Sequence, residues 1–293
     1  TLMAMPSAQG LFHRAIAQSG TGLRWTSAEE GTKLARSVLE KLGVAPNDLA
    51  ALYRLPAEKI AAATPPGIGP VVDGDVLPRN PFDPDAPAVS AQVPMLLGSN
   101  LTEVTFFNNT PLEAIDDATL EKRIAAYTRL DAAKAAGLIS QYRKARAETP
   151  NHVLYQLIAS DWWMGGNVHL QAERKAAQGG AAAYVYQFAM PQGARGGKLN
   201  VPHTAEIAYV FDNLKLSTAL VGEVTPEHQA LADRMSAAWV NFARTGNPNG
   251  AGLPAWKPYS RADRQVMVFG PKIGVAPAAV VDGALAVNAL KAA

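Results

Sequence analysis

Two almost continuous apolar runs constrain this chain more than any other feature: V-P-M-L-L-G at 93–98 and A-Y-V-Y-Q-F at 183–188. Neither alternates polar with apolar positions, so each reads as a strand buried on both faces. A long, largely helical region separates them, and strands separated by helices assemble into α/β sheets that are mostly parallel. In such sheets, functional groups gather beyond the carboxyl ends of the strands. Glu103 follows the first run by a few residues, and His203 lies in the connection after the second. If the two strands lie side by side, they deliver an acid and a base to one edge.

The rest of the chain fits that frame. An apolar strand is expected over 11–19, ending in a Ser-Gly turn, and Val266–Phe269 reads as a last strand. An amphipathic helix is expected over 29–42, stopped by Gly43, with shorter helices over 46–53 and 56–62 and a Pro/Gly-rich loop at 65–70. Asp73-Gly74 marks a tight turn. A helical insertion covers about 111–178, with breaks at Pro150 and at Gly165-Gly166. A long helix over 226–244 places Leu231, Met235, Ala238 and Phe242 on one face.

The 293 residues suffice for a sizeable core, and the formal charge of +2 is nearly balanced. No basic stripe interleaved with aromatics suggests nucleic acid as a partner. The longest helical patterns carry charges and are too interrupted to span a bilayer. There is no cysteine, hence no disulfide framework and no thiolate metal site. This suits a bacterial cytoplasm or periplasm, or secretion from a bacterium, without choosing among them. The opening T-L-M-A-M-P has neither an initiator Met nor a charged leader, and reads as the interior of a longer protein.

His203 stands in V-P-H-T-A-E-I-A-Y-V-F (201–211), where Ile207, Val210 and Phe211 share one helical face. Pro202 blocks helix before it, Thr204 can cap, and Glu206 suits the first turn. The dipole of that helix is expected to keep the imidazole neutral and able to accept a proton. A lone histidine more often fills a turn, and a lone Glu after a strand is usually solvated. The apolar neighbours Leu96, Leu97, Phe106 and Phe107 argue against a solvated Glu103. A neutral His held by a carboxylate is the base half of a nucleophilic triad. The nucleophile should precede both, on an elbow of form G-x-S-x-G. None of the serines before Glu103 has both glycines. Ser19, in A-Q-S-G-T, comes nearest and is rejected as nucleophile.

Five segments, Q-G-L-F-H-R-A-I-A-Q-S-G (9–20), V-V-D-G-D-V-L-P (71–78), L-L-G-S-N-L-T-E-V-T-F-F (96–107), P-H-T-A-E-I-A-Y-V-F (202–211) and W-V-N-F-A-R-T-G-N-P-N (239–249), stand in the order of the type B carboxylesterase/cholinesterase family. Together they span nearly the whole chain, which resembles the C-terminal part of that family. The resemblance implies an α/β-hydrolase fold, with residues 1–293 as the C-terminal portion of a single carboxylesterase type B domain. It implies Glu103 as triad acid, His203 as triad base, and Ser19 as a serine hydrogen-bonded near the acid. Phe106 and Phe107 match positions lining the substrate cavity, with ordinary core packing as the competing reading. The nucleophile of a Gly-Glu-Ser-Ala-Gly motif would fall about eight residues before Thr1, and the oxyanion loop further upstream. Val104 and Thr204 stand where the family often has glycine, which bears on pocket size. The family's disulfides are absent, favouring a bacterial member.

The implied activity is hydrolysis of small or aryl carboxylic esters without metal or cofactor, with the N-terminal half of the same protein needed to complete the fold. Alone, the chain is expected to be inactive. Two other readings remain: a non-catalytic cholinesterase-like adhesion or scaffold module, and an inactive truncated fragment.

Other signals carry less. G-A-R-G-G-K (193–198) is one residue short of a P-loop, and Pro202 prevents the helix that a P-loop needs. His169 and Glu173, one helical turn apart, are too few ligands for a metal site. His13, His152 and His228 lack a partner pattern. Trp162-Trp163 reads as core. The glycosylation sequons at Asn100 and Asn108 are taken as chance.

Overall fold

The structure, a computed structural model, describes residues 1–107, 109–250, 252–276 and 278–292. In chain order its strands are β1 (Ala15–Gln18), β2 (Thr26–Ser27), β3 (Val71–Val72), β4 (Met95–Asn100), β5 (Ala183–Phe188), β6 (Val266–Phe269) and β7 (Gly274–Val275). They fall into two compact units. The first comprises Thr1–Leu11 and Gly22–Ser90, the second Phe12–Thr21 and Ala91–Ala293.

The first unit is a small helical layer beside the parallel pair β2–β3. Helix α1 (Ala28–Leu42) starts at a capping box in which Ser27 Oγ accepts from Glu30 N and Glu30 Oε2 accepts from Ser27 N. It ends at Gly43, whose φ of +66° is the left-handed conformation expected of a C-terminal glycine. The expected short helices are α2 (Leu49–Tyr53), capped by Asp48, and α3 (Ala57–Ala63). Aliphatic side chains of the three, including Leu34, Val38, Leu52 and Ile60, surround an apolar cavity of about 350 Å³.

The second unit holds a five-stranded sheet in the order β1-β4-β5-β6-β7. The first four strands are parallel, and β7 runs antiparallel to β6. Strand β4 is buried along its whole length, but it starts two residues later than the 93–98 apolar run and takes in Ser99 and Asn100. The first strand is shorter than expected, since regular pairing starts only at Ala15. Full burial of Leu96 and Leu97 contributes roughly 2 kcal/mol for each. Gly98 is required where it stands: a Cβ there would meet the Tyr186 ring at 2.2 Å. That ring packs edge-on against Trp239, 4.8 Å between centroids, which seats the helix carrying Trp239 on the sheet.

The expected helical insertion contains α4 (Asp117–Thr128), α5 (Ala132–Ala145), α6 (Asn151–Ser160) and α7 (Gly166–Ala177). Asp116 and Asp131 cap the first two. Pro150 does interrupt the chain, but Gly165-Gly166 does not. Helix α6 runs into α7 through a π-helical turn, Asp161–Gly165. Next come the one-turn helices α8 (Ile207–Val210) and α9 (Thr218–Val221), and then α10 (Pro226–Thr245). Leu231, Met235, Ala238 and Phe242 of α10 are buried as expected. His228 completes the N-terminal cap of α10 with Thr225. Helix α11 (Ala278–Ala292) was not expected from the sequence, because its apolar residues fall on every side and leave no helical period to read. No helix among the described residues is long and apolar enough to cross a membrane.

Candidate active site

Strands β4 and β5 pair in parallel register, Asn100 opposite Phe188, so the segments leaving their carboxyl ends emerge together. After β4 the chain turns through a 3₁₀ segment, Glu103–Phe106. This returns the Glu103 carboxylate to the strand end, where Oε1 accepts from Asn100 N at 2.7 Å and from Ser19 Oγ at 2.5 Å. Ser19 follows β1, the strand on the other side of β4, and its own N–H donates to Gly98 O. Its φ of +61° is uncommon for a residue with a side chain. The segment leading to His203 is stitched to the same turn, with Val201 N donating to Thr102 Oγ1 at 2.8 Å and His203 N to Glu103 O at 3.3 Å.

These bonds bring His203 Nδ1 to 2.6 Å from Glu103 Oε2. The carboxylate is fully buried, while about a third of the His203 side chain is exposed. An ionised carboxylate can only accept, so Nδ1 carries the proton and Nε2 presents its lone pair. Among the described residues Nε2 has no hydrogen-bond partner. The imidazole pKa is raised from 6.5, first by the hydrogen bond to Glu103, against some loss of solvation, with the Glu103 and Glu206 charges adding to the rise. The shift runs opposite to the one expected of a helix dipole. Helix α8 has a single turn and starts at Ile207, and the nearer carboxylates outweigh it.

Glu206 also has a different place from the one expected. It is buried and accepts from Asn100 Nδ2 at 2.6 Å and Gln18 Nε2 at 3.0 Å. Gln18 Oε1 in turn accepts from Trp239 Nε1, and Asn100 Nδ2 also reaches Pro202 O. Asn100 thus links both carboxylates to the backbone beside His203. Thr204 does not cap α8; it is exposed, with a φ of +71°, a strained conformation for a β-branched residue. Val104 is buried among Leu120, Ile124, Leu138 and Ile158.

Phe106 and Phe107 are substantially exposed. Phe107 packs edge-on against Trp163 at 5.0 Å, and Trp163 lies 5.3 Å from the His203 ring. Phe106 makes no ring contact among the described residues. From sequence alone Trp163 reads as core. It does pack against the helical core, yet it is only partly buried and borders the imidazole. No local signal announces that, because the contact spans forty residues of chain.

The remaining candidates lie elsewhere. Among the described residues no group of three or more His, Cys, Asp or Glu side chains could hold a metal ion. Glu173 pairs with Arg264 at 3.7 Å. The 193–198 segment contains a 3₁₀ turn, and Lys198 pairs with Glu113. Asn100 is buried and hydrogen-bonded through its side-chain nitrogen, which leaves no room for a glycan. Asn108 lies outside the described residues.

Residues 1–279 match the family model described as "Carboxylesterase family". A para-nitrobenzyl esterase of Bacillus subtilis (strain 168) is 25% identical over 288 residues, 94% of this chain and 56% of that protein. A medium-chain fatty acyl-CoA hydrolase precursor of Anas platyrhynchos is 26% identical, over 91% of this chain and 51% of its own length. The carboxylesterase Est55 of Geobacillus stearothermophilus superposes with a TM-score of 0.74 at 30% identity, covering 97% of this chain and 60% of that one. A thermophilic PNB esterase gives a TM-score of 0.76 at 24% identity and shows a common fold. The chain spans about half the length of the curated relatives it matches.

Proposed function

The chain belongs to the carboxylesterase family, and from that premise we propose that it is the C-terminal portion of a serine carboxylesterase domain, supplying the acid and base of a Ser-Glu-His triad. The observation that carries this reading is the 2.6 Å contact between a buried carboxylate and His203 Nδ1, with Nε2 left to accept a proton. In the proposed cycle a serine hydroxyl from a segment preceding Thr1 attacks the ester carbonyl while Nε2 takes its proton. Glu103 stabilises the imidazolium so formed, and Nε2 then returns the proton to the departing alcohol. Water repeats the sequence on the acyl-enzyme. Backbone N–H groups, mostly contributed from the same upstream segment, hold the oxyanion.

Two features support an upstream contribution. Ser19, the serine bound to Glu103, spends its hydroxyl on Oε1 of the acid, and among the described residues no hydrogen bond joins it to His203. Strand β1 is the terminal strand of its sheet and carries Ile16 with more than a third of its surface exposed, an edge suited to another strand. Substrates are small or aryl esters.

The test is to express residues 1–293 with and without the upstream half and to assay a chromogenic short-chain ester. Turnover is expected only with both parts present, abolished by His203→Ala. Turnover by residues 1–293 alone would refute the upstream serine. Lack of turnover by the complete protein would refute the esterase reading and favour a non-catalytic module.

A further inference from the structure

We propose that Trp163 is a specificity-determining residue, held beside His203 by a π-helical turn that Tyr142 pins through Asp161, and that it forms the wall on which a flat apolar group of the ester packs. This rests on the esterase reading above.

The turn Asp161–Gly165 interrupts a helix that is otherwise regular from Asn151 to Ala177. A π turn inserts one residue, so the side chains after it are rotated by about 100° from where a regular helix would place them. Such a turn is rare and persists where neighbours hold it. Two features hold this one. Tyr142 Oη donates to Asp161 Oδ2 at 2.5 Å, and burial keeps that phenol protonated by raising its pKa well above 10. Gly165 leaves the space the carboxylate occupies, since a Cβ there would lie 2.0 Å from Asp161 Oδ1.

The product of this arrangement is the orientation of two adjacent tryptophans. Trp162 lies under Lys291, whose Nζ is 5.4 Å from its ring. Trp163 lies against His203 and Phe107. Trp163 and the half-exposed Phe107 stand roughly at right angles, 77° between ring planes, and form an apolar corner next to the imidazole that carries the free Nε2. Trp163 is only partly buried, and its ring borders that corner. A planar group of the substrate can meet it edge to face, an arrangement favoured beyond area burial alone.

The experiment uses the protein comprising this chain and its upstream segment, with Trp163→Ala, Tyr142→Phe, Asp161→Ala and Asp161→Asn. One substrate series varies the alcohol at fixed acyl group, and a second varies the acyl group at fixed alcohol, each pairing an aromatic with an aliphatic group. In one of the two series Trp163→Ala is expected to lower the aromatic-over-aliphatic ratio of kcat/KM about tenfold. Tyr142→Phe and Asp161→Ala lower it in the same series by less, and Asp161→Asn, which keeps an acceptor for the phenol, retains most of it. An unchanged ratio in both series for Trp163→Ala overturns the proposal. His-selective NMR on the same proteins gives a readout independent of turnover. The ring-proton resonances of His203 should move in Trp163→Ala, and also in Tyr142→Phe and Asp161→Ala as the turn relaxes. If they are unmoved in the last two, the pinning is refuted. If the parent hydrolyses no ester, the esterase reading fails and the selectivity claim with it, while the resonances still decide whether Tyr142 and Asp161 position Trp163.

Discussion

His203 and His169 are both enclosed by the second unit, and their imidazoles are driven in opposite directions. His203 meets a buried carboxylate at 2.6 Å, and its pKa rises. His169 lies inside α7 with Nδ1 unpartnered, and burial together with the Arg264 charge pushes its pKa down to about 4. Sequence distance would suggest the reverse. Glu173 is one helical turn from His169, yet it points to Arg264, whereas Glu103 reaches His203 across a hundred residues of chain. Histidine chemistry follows the carboxylate that the topology aims at the ring. Here the aim comes from two neighbouring parallel strands that end together.

The largest break of this contrast is to neutralise the acid. Glu103→Gln leaves a buried hydrogen-bonding group of the same size but cannot stabilise an imidazolium. In the complete protein kcat/KM on a chromogenic ester should fall about 10³–10⁴-fold. The parent's pH–rate profile should rise through an apparent pKa above 6.5, because His203 must be neutral to act as a base.

The next effect concerns stability, and the two histidines give it opposite signs. The raised pKa of His203 contributes stability that is fully present below about pH 6.5 and is lost as pH rises through its folded value. The lowered pKa of His169 means that the unfolded chain gains a proton first as pH falls from 6.5 to about 4, so stability is lost across that window. The loss is roughly 3 kcal/mol. His169→Phe should flatten it in denaturant titrations at successive pH values, whereas an equally steep acid loss would mean that other groups cause it.

The smallest expected effect sits beside His203. Thr204 holds a φ of +71°, so Thr204→Gly should raise stability by roughly 0.5–1 kcal/mol, read as a higher denaturation midpoint. A lower midpoint would mean that the threonine side chain contributes more than its backbone strain costs.

Much of the fold was legible because its strands and capped helices announce themselves locally. The 183–188 strand, the glycine that ends α1 and the buried face of α10 all follow from periodicity and cap chemistry. Helix α11 was not, since it is apolar all round, and the π turn was not, since Gly165-Gly166 reads as a break until the Asp161 carboxylate is seen to need that space. The juxtaposition of Glu103 and His203 could be argued from neighbouring strands. Trp163 beside the imidazole, and Glu206 joined to Gln18 and Asn100, depend on contacts between distant segments that no local pattern encodes.

The most direct measurement is the NMR titration of the His203 ring in the parent and in Glu103→Gln. In the parent the pKa should lie above 6.5 and fall markedly once the carboxylate becomes an amide. An identical titration in the two proteins would contradict the coupling of Glu103 to His203, and with it the proposed acid and base.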